Sequence, residues 1–270
     1  MTLPKRNWMD MTWQEIAGAQ TGRWIAVLPL AAVEQHGPHL PLGVDTYIAE
    51  AFLVRLHKLI PDDLPVTFLP VQRVGVSVEH SSYPGTLTFS AVTAMAAWTE
   101  LGESLVRAGL RKLVLVTSHG GNVPAMELVA RDLRVRLGML VVTAGWHRFG
   151  YPDGAFAEDE KKHGIHAGDV ETSVMLAAMP ESVRKDRSPN ATPSTVAMAR
   201  EFKWLSASRP AGFAWMIQDL NPVGAVGDAT SATAAKGEAV LAQGSQGLLE
   251  LLRDVDRFDP SRLKEGPLHK

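Results

Sequence analysis

The chain has 270 residues, 46% of them hydrophobic and 21% charged, with a formal net charge of -2. These values fit one large globular domain or two small ones and exclude a disordered or fibrous chain, and the slight acidity offers no basic footprint for a nucleic-acid partner. Cysteine is absent, which excludes disulfides, thiolate nucleophiles and Cys-type metal sites together, so any metal must rest on His and carboxylates.

The first 18 residues carry acidic side chains and no apolar core of signal-peptide length. No later stretch reaches the ~20 apolar residues of a membrane span. A cytoplasmic protein without a membrane partner is expected.

In chain order, residues 24–30 form an apolar run rich in β-branched side chains and predict a buried strand. A helical pattern covers residues 46–60, and a shorter strand covers 66–69. A second helix is predicted over 91–108, a strand over 113–117, and a helix over 123–137 with Met126, Val129, Leu133 and Leu137 on one face. A strand over 139–143 follows. Residues 145–168 are polar, contain Gly and Pro, and carry His147, His163 and His166, which marks an active-site insertion. Helical spacing resumes over 169–178 and stops at Pro180. Residues 182–228 lack periodicity and predict irregular structure or short elements covering the sheet edge. A last helix over 231–257 places Val240, Leu241, Leu248, Leu251 and Leu252 on its apolar side. Strands alternating with helices imply an α/β protein with a parallel sheet covered on both faces. Ligands then bind beyond the carboxyl ends of the strands, here the loops after Leu30, Leu69, Thr117 and Thr143.

Those loops hold the candidate chemistry. After the first strand comes VEQHGPHLPLGVD at 33–45. Residues two apart in an extended segment face one side, so Glu34 and His36 can aim at one point, and the Pro and Gly residues bend the chain so that Asp45 returns to it. Such oxygen and nitrogen donors suit Zn2+ or Mn2+; the same residues also read as a helix N-cap and a hydrogen-bonded loop pair. TSHGGN at 117–122 places His119 at a strand end, with Gly120 and Gly121 allowing close backbone approach and free N–H groups for an oxyanion. An ordinary strand-to-helix turn capped by Asn122 is the alternative. In HAGDVETS at 166–173, Glu171 falls in the first turn of a helix and His166 just outside it, free to act as acid or base, or else as a capping arrangement with a solvent-facing His. A fourth loop, 75–86, offers Ser77, Glu79, His80 and Thr86 to substrate or to another subunit, or is purely structural. His57 and His269 have no partner pattern.

Taken together, the 34–45, 118–122 and 166–173 motifs resemble the creatininase family, in order and spacing, over about residues 25–180. The resemblance implies a single domain over 1–270 folded as a three-layer α/β/α sandwich with a mainly parallel central sheet. It also implies a two-metal centre (Zn or Mn, with Fe possible), hydrolysis of a C–N bond in an amide, cyclic amide, formamide or short peptide, and a homo-oligomer, plausibly a hexamer. Carried over by position, Asp45 is expected to bridge the metals, Glu34 and His119 to ligate one, and His36 the other. Creatininase has an aromatic residue and a ligating Glu where this chain has Gly120 and Gly121, so Glu171 is the expected substitute. Trp146 matches one of the family's ring-enclosing tryptophans, while Lys162 stands where another aligns; an amide other than creatinine is therefore expected. Metals sharing Asp45 would supply a bridging hydroxide and His166 would shuttle the proton. The rival reading is a catalytically inactive small-molecule-binding member of the same fold.

Overall fold

Apolar side chains on both faces of the central strands dictate the layering. The computed structural model describes residues 3–208 and 210–266. In chain order its principal elements are α1 (Trp13–Ala17), β1 (Ile25–Leu30), α2 (Val44–Leu59), β2 (Val66–Phe68), α3 (Ala91–Arg107), β3 (Lys112–Thr117), α4 (Val123–Leu137) and β4 (Leu140–Gly145). Then come α5 (Glu158–His163), α6 (Asp169–Ala178), β5 (Asn190–Ala191), α7 (Ser194–Glu201), β6 (Leu205–Ser206), β7 (Ala211–Gly212), α8 (Ile217–Leu220), β8 (Gly227–Asp228) and α9 (Ala234–Arg257).

The four long-range strands form a parallel sheet in the order β2-β1-β3-β4. Alternate residues of β1 and β3 serve opposite layers. Ile25, Val27, Val114 and Val116 pack with Val44, Phe52, Met175, Val240 and Leu248 of α2, α6 and α9. Ala26, Leu28, Leu113 and Leu115 pack with Ala94, Trp98, Met126 and Leu133 of α3 and α4. This is the α/β fold expected, with helices on both faces. Because β2 lies on one side of β1 and β3 on the other, the chain reverses direction across the sheet between β1 and β3. A crevice opens at such a switch point beyond the carboxyl ends of the strands.

The predicted strands and major helices lie within a few residues of those observed. Three differences matter. A short helix, α1, begins at Thr12 in a capping box with Glu15. The insertion at 145–168 contains a second unpredicted helix, α5. Residues 182–228, expected as short elements at the sheet edge, fold over the site loops, where the Tyr83 hydroxyl donates to Pro222 O at 2.9 Å and Val226 pairs with His166. Segments this short bury too little surface to show a periodicity, so their destination is set by tertiary contacts alone. Among the described residues no helix is long and apolar enough to cross a membrane. His269 lies outside the described residues.

One polar contact ties the sheet to its covering layer. Lys112, the first residue of β3, is buried and its ammonium donates to Val255 O at 2.7 Å and Asp256 O at 2.8 Å, in the last turn of α9. These are carbonyls that the helix itself leaves unpaired, at its negative end. Replacing Lys112 with Met should lower stability by about 1–3 kcal/mol, the usual effect of stranding buried acceptors. Urea unfolding checks this; an unchanged midpoint would show that the two bonds contribute nothing net.

Candidate metal centre

The loop after β1 turns back on itself: Glu34 N donates to Leu42 O, and Gly37 takes a left-handed φ of 66°. Asp45 is thereby returned in the first turn of α2, next to Glu34. The Ser118 hydroxyl at the end of β3 donates to Asp45 O at 2.7 Å, fixing the start of α2 against the strand that delivers His119. Glu171 arrives from the first turn of α6, its Oε2 accepting from Ala167 N.

The structure brings all six of the principal candidates together. Three groups of donors lie within 4.8 Å of one another: Glu34, Asp45 and His119; His36, Asp45 and Glu171; and Glu34, His36 and His166. Asp45 belongs to the first two. Its Oδ2 is 3.9 Å from His119 Nδ1 and 3.8 Å from His36 Nε2, while Glu34 Oε1 is 3.2 Å from His119 Nδ1. Donors about 2.1 Å from a tetrahedral cation stand about 3.4 Å apart, so these spacings match side chains arranged around ions.

The imidazoles are oriented from behind. His36 Nδ1 donates to Glu34 O at 3.0 Å, His119 Nε2 to Val76 O at 2.8 Å, and His166 Nε2 to Gln35 O at 2.7 Å. A carbonyl only accepts, so each of these nitrogens carries a proton, and in the neutral ring the other nitrogen turns a lone pair inward. His36 Nε2, both oxygens of Glu34 and Asp45 Oδ2 are buried with no hydrogen-bond partner. Buried polar atoms are rarely left so. A concentration of unpaired donors at one point is the signature of a group that completes them, and the His and carboxylate set fits a divalent cation.

His80 is held differently. The Gln35 amide nitrogen donates to Gly224 O at 2.8 Å and to His80 Nδ1 at 2.9 Å, its orientation fixed because Gln35 Oε1 accepts from Gly37 N. His80 therefore presents Nε2–H toward Glu34 Oε1, 3.4 Å away. Gln35, flanked by both first-motif donors, has no special signature in the sequence; only the fold shows it holding three segments.

Electrostatics reflect the crowding. Burial raises the pKa of Asp45 well above its ordinary value, and the neighbouring Glu34 adds to this; burial likewise raises Glu79 and Glu171. Glu34 is held well below the usual carboxylate range, burial being overcome by His119, His166 and His80. Burial and the nearby His166 keep His36 well below its ordinary value and push His80 down to about 3. His119 goes the other way, to about 10, because Glu34, Asp45 and Glu79 outweigh its burial.

The other candidates fall into two sets. Gly120 and Trp146 line a cavity of about 240 Å3 together with His166, Glu171, Ser118, Tyr151 and Glu160. Trp146 stacks on Phe52 at 4.3 Å, and its indole N–H has no partner. Ser77, Glu79 and His80 instead surround His119 and Glu34, with Ser77 Oγ 3.3 Å and Glu79 Oε1 3.5 Å from His119 Nε2. Thr86 accepts from Gln35 N. A Cβ on Gly121 would collide with Glu79, His119 and Val76 O, so no side chain fits there. Asn122 does not cap α4 with its side chain; it clamps Val76 N, Ala31 O and the Thr117 hydroxyl. Of the three insertion histidines only His166 joins the cluster; His163 bonds Thr195. His57 bonds Leu53 O and Asn7. A wider groove of about 730 Å3 between α2, α6 and α9 contains none of the donors.

A family model described as creatinine amidohydrolase (creatininase) matches residues 9–252. The chain belongs to the creatininase family. It is 36% identical over 228 residues to a mycofactocin precursor peptide peptidase of Mycobacterium ulcerans strain Agy99, covering 82% of this chain and 81% of that one. It is 28% identical to a creatinine amidohydrolase of Pseudomonas putida, covering 93% and 97%. Among solved structures, one named "Creatininase Mn" superposes with a TM-score of 0.71 at 25% identity, covering 93% of this chain and 98% of that one. A Zn-Zn type of a mutant creatininase gives 0.72 at 25% identity, with 93% and 98% covered. The creatininase fold thus accounts for the sheet order and for the convergence of the loops on the crevice.

In the presence of a chelator, this creatininase-family protein should lose stability as pH rises from about 6.5 toward 10. His119 has a folded-state pKa of about 10 against an ordinary 6.5, so its stabilising contribution is complete below about 6.5 and is lost toward 10. Asp45, Glu79 and Glu171, with raised values, weaken the fold in the same direction as they ionise. Thermal unfolding in chelator at several pH values should show a steeper decline for wild type than for His119→Gln. Parallel declines would contradict this assignment of charge.

Proposed function

We propose that this creatininase-family hydrolase is metal-dependent, holds two divalent cations, Zn2+ or Mn2+ with Fe2+ also compatible, and cleaves the C–N bond of an amide. The observation that carries the reading is the set of buried, unpartnered atoms on Glu34, His36 and Asp45, with His119 and Glu171 close enough to complete two groups of donors around them. Glu34 and His119 would hold one cation and His36 and Glu171 the other, with Asp45 common to both. When bound, such a pair polarises a carbonyl and lowers the pKa of water toward neutrality.

The chain's own residues do the rest. His166 holds its Nε2 proton on Gln35 O, so Nδ1, 3.6 Å from Glu34 Oε1, is the nitrogen that takes up or releases a proton. That is the task of a general acid–base beside the scissile bond. Gly120 brings main chain to the cavity wall, where an N–H can face a developing oxyanion. Trp146, held by its stack on Phe52, offers an unpaired N–H to a substrate acceptor.

A short peptide or other acyclic amide is the substrate class we favour over creatinine. Lys162, where the resemblance aligns a second enclosing tryptophan, is exposed on α5 and closes nothing over a small ring. The names of the peptide peptidases that this chain resembles at 36% identity support the same choice. Metal-reconstituted protein assayed against short peptides, formamides and lactams, scored by amine release, tests it; turnover of lactams alone would reject the peptide reading.

Two substitutions separate the roles. Replacing His166 with Ala should preserve metal content while lowering kcat by roughly 10²–10⁴-fold; loss of metal along with activity would make it a ligand instead. Glu171→Gln should weaken one cation selectively. Asp169→Asn should not, because Asp169 is committed to Lys236 Nζ at 2.6 Å and to the Ser173 hydroxyl. Stoichiometry by elemental analysis decides, and equal losses in both variants would place the missing ligand elsewhere.

A further inference from the structure

Glu160, on α5, is nine-tenths buried beside the site, yet it faces no cation: among the described residues no lysine, arginine or histidine pairs with it. A carboxylate in that position must be satisfied some other way. Its Oε1 accepts from Asp169 N at 2.8 Å and its Oε2 from Asp228 N at 3.0 Å. The first bond falls on the N-terminus of α6, whose N-cap, Gly168, has no side chain to offer; Glu160 caps that helix from outside, where negative charge is favourable. The second falls on β8.

The surroundings are shaped to this carboxylate. A Cβ on Gly164, Gly168 or Gly227 would collide with it, and Gly168 and Gly227 meet backbone to backbone. Between those glycines the chain does what the site requires. His166 pairs with Val226, Val226 N donating to His166 O at 2.7 Å. Ala167 adopts a left-handed φ of 54°, unusual for a residue with a Cβ, and from there its N–H is delivered to Glu171 Oε2. One side chain therefore ties Asp169, between His166 and Glu171, to β8, next to the Val226 that pairs with His166. The loops that carry Glu34, Asp45 and His119 receive no bond from Glu160.

Resting on the two-cation reading above, we infer that Glu160 is the positioning residue for the α6 half of the site. It fixes Glu171 and His166 through main-chain N–H groups without ligating a cation. Its removal loosens one cation and leaves the other.

Titration of chelator-stripped protein with Mn2+ alone, followed by electron paramagnetic resonance to count isolated and spin-coupled ions, tests this. Wild type should take up two coupled Mn2+. Glu160→Gln, which keeps the volume but turns an amide N–H2 toward one of the two N–H donors, and Glu160→Ala should both retain the first affinity. Their second affinity should fall ten- to hundredfold, the usual effect of losing an outer support of a ligand. Far-UV circular dichroism confirms that the variants are folded. Two unchanged affinities in the folded Gln variant, or equal weakening of both ions, would overturn the inference, the latter by making Glu160 a general brace. A wild-type chain that binds fewer than two Mn2+ would overturn the two-cation reading, and this inference with it.

Discussion

Everything about the site follows from carboxylates crowded together, wholly or partly buried, without a lysine or arginine to neutralise them. Glu34, Asp45, Glu79 and Glu171 converge beyond β1 and β3, and among the described residues no lysine or arginine pairs with any of them. Burying such charge is costly unless something compensates it. Protonated His119 meets part of that need, which is why its pKa rises to about 10. It faces Glu34 Oε1 at 3.2 Å but leaves Glu34 Oε2 and Asp45 Oδ2 without a partner, and the lone pair of His36 Nε2 lies close to Asp45 Oδ2. A fold that fixes three imidazoles on main-chain carbonyls and leaves His36 Nε2 and oxygens of Glu34 and Asp45 unpartnered has a donor set that fits a divalent cation.

The sheet order explains how so many donors meet. With β1 between β2 and β3, the loop after β1 and the loop after β3 leave the sheet side by side at the switch point. The first brings Glu34 and His36 and returns Asp45; the second brings His119. Only the donors from α6 come from outside the sheet, and they depend on a longer chain of support through Gly168, Val226 and Glu160. The space that a side chain at position 121 would take is filled by Glu79 and His119, so a carboxylate from α6 approaches the site where one from β3 cannot.

Much of this was legible in the sequence, for identifiable reasons. Strands buried on both faces leave continuous apolar runs, so β1, β3 and β4 stood out, and helices as long as α4 and α9 complete enough turns to show a stripe. The donor residues were legible because they cluster at strand ends, in motifs with family-specific spacing. What was hidden depends on contacts distant in sequence. Nothing local in residues 182–228 announces that they fold over the crevice, and nothing around Glu160 announces a cap for a helix nine residues later. Gln35 was in plain view between two donors, but its bonds to His80 and Gly224 span 45 and 189 residues. The protonation of each imidazole, which decides what it can bind, is set by the carbonyls of Glu34, Gln35 and Val76 and has no sequence signal.

Whether Asp45 joins two cations is most directly measured by anomalous diffraction from crystals grown with Mn2+ and recorded at the manganese edge. Two peaks should appear, one bounded by Glu34, Asp45 and His119 and the other by His36, Asp45 and Glu171, with the Asp45 carboxylate between them. A single peak, or two peaks of which only one touches Asp45, would contradict a centre built on a shared carboxylate.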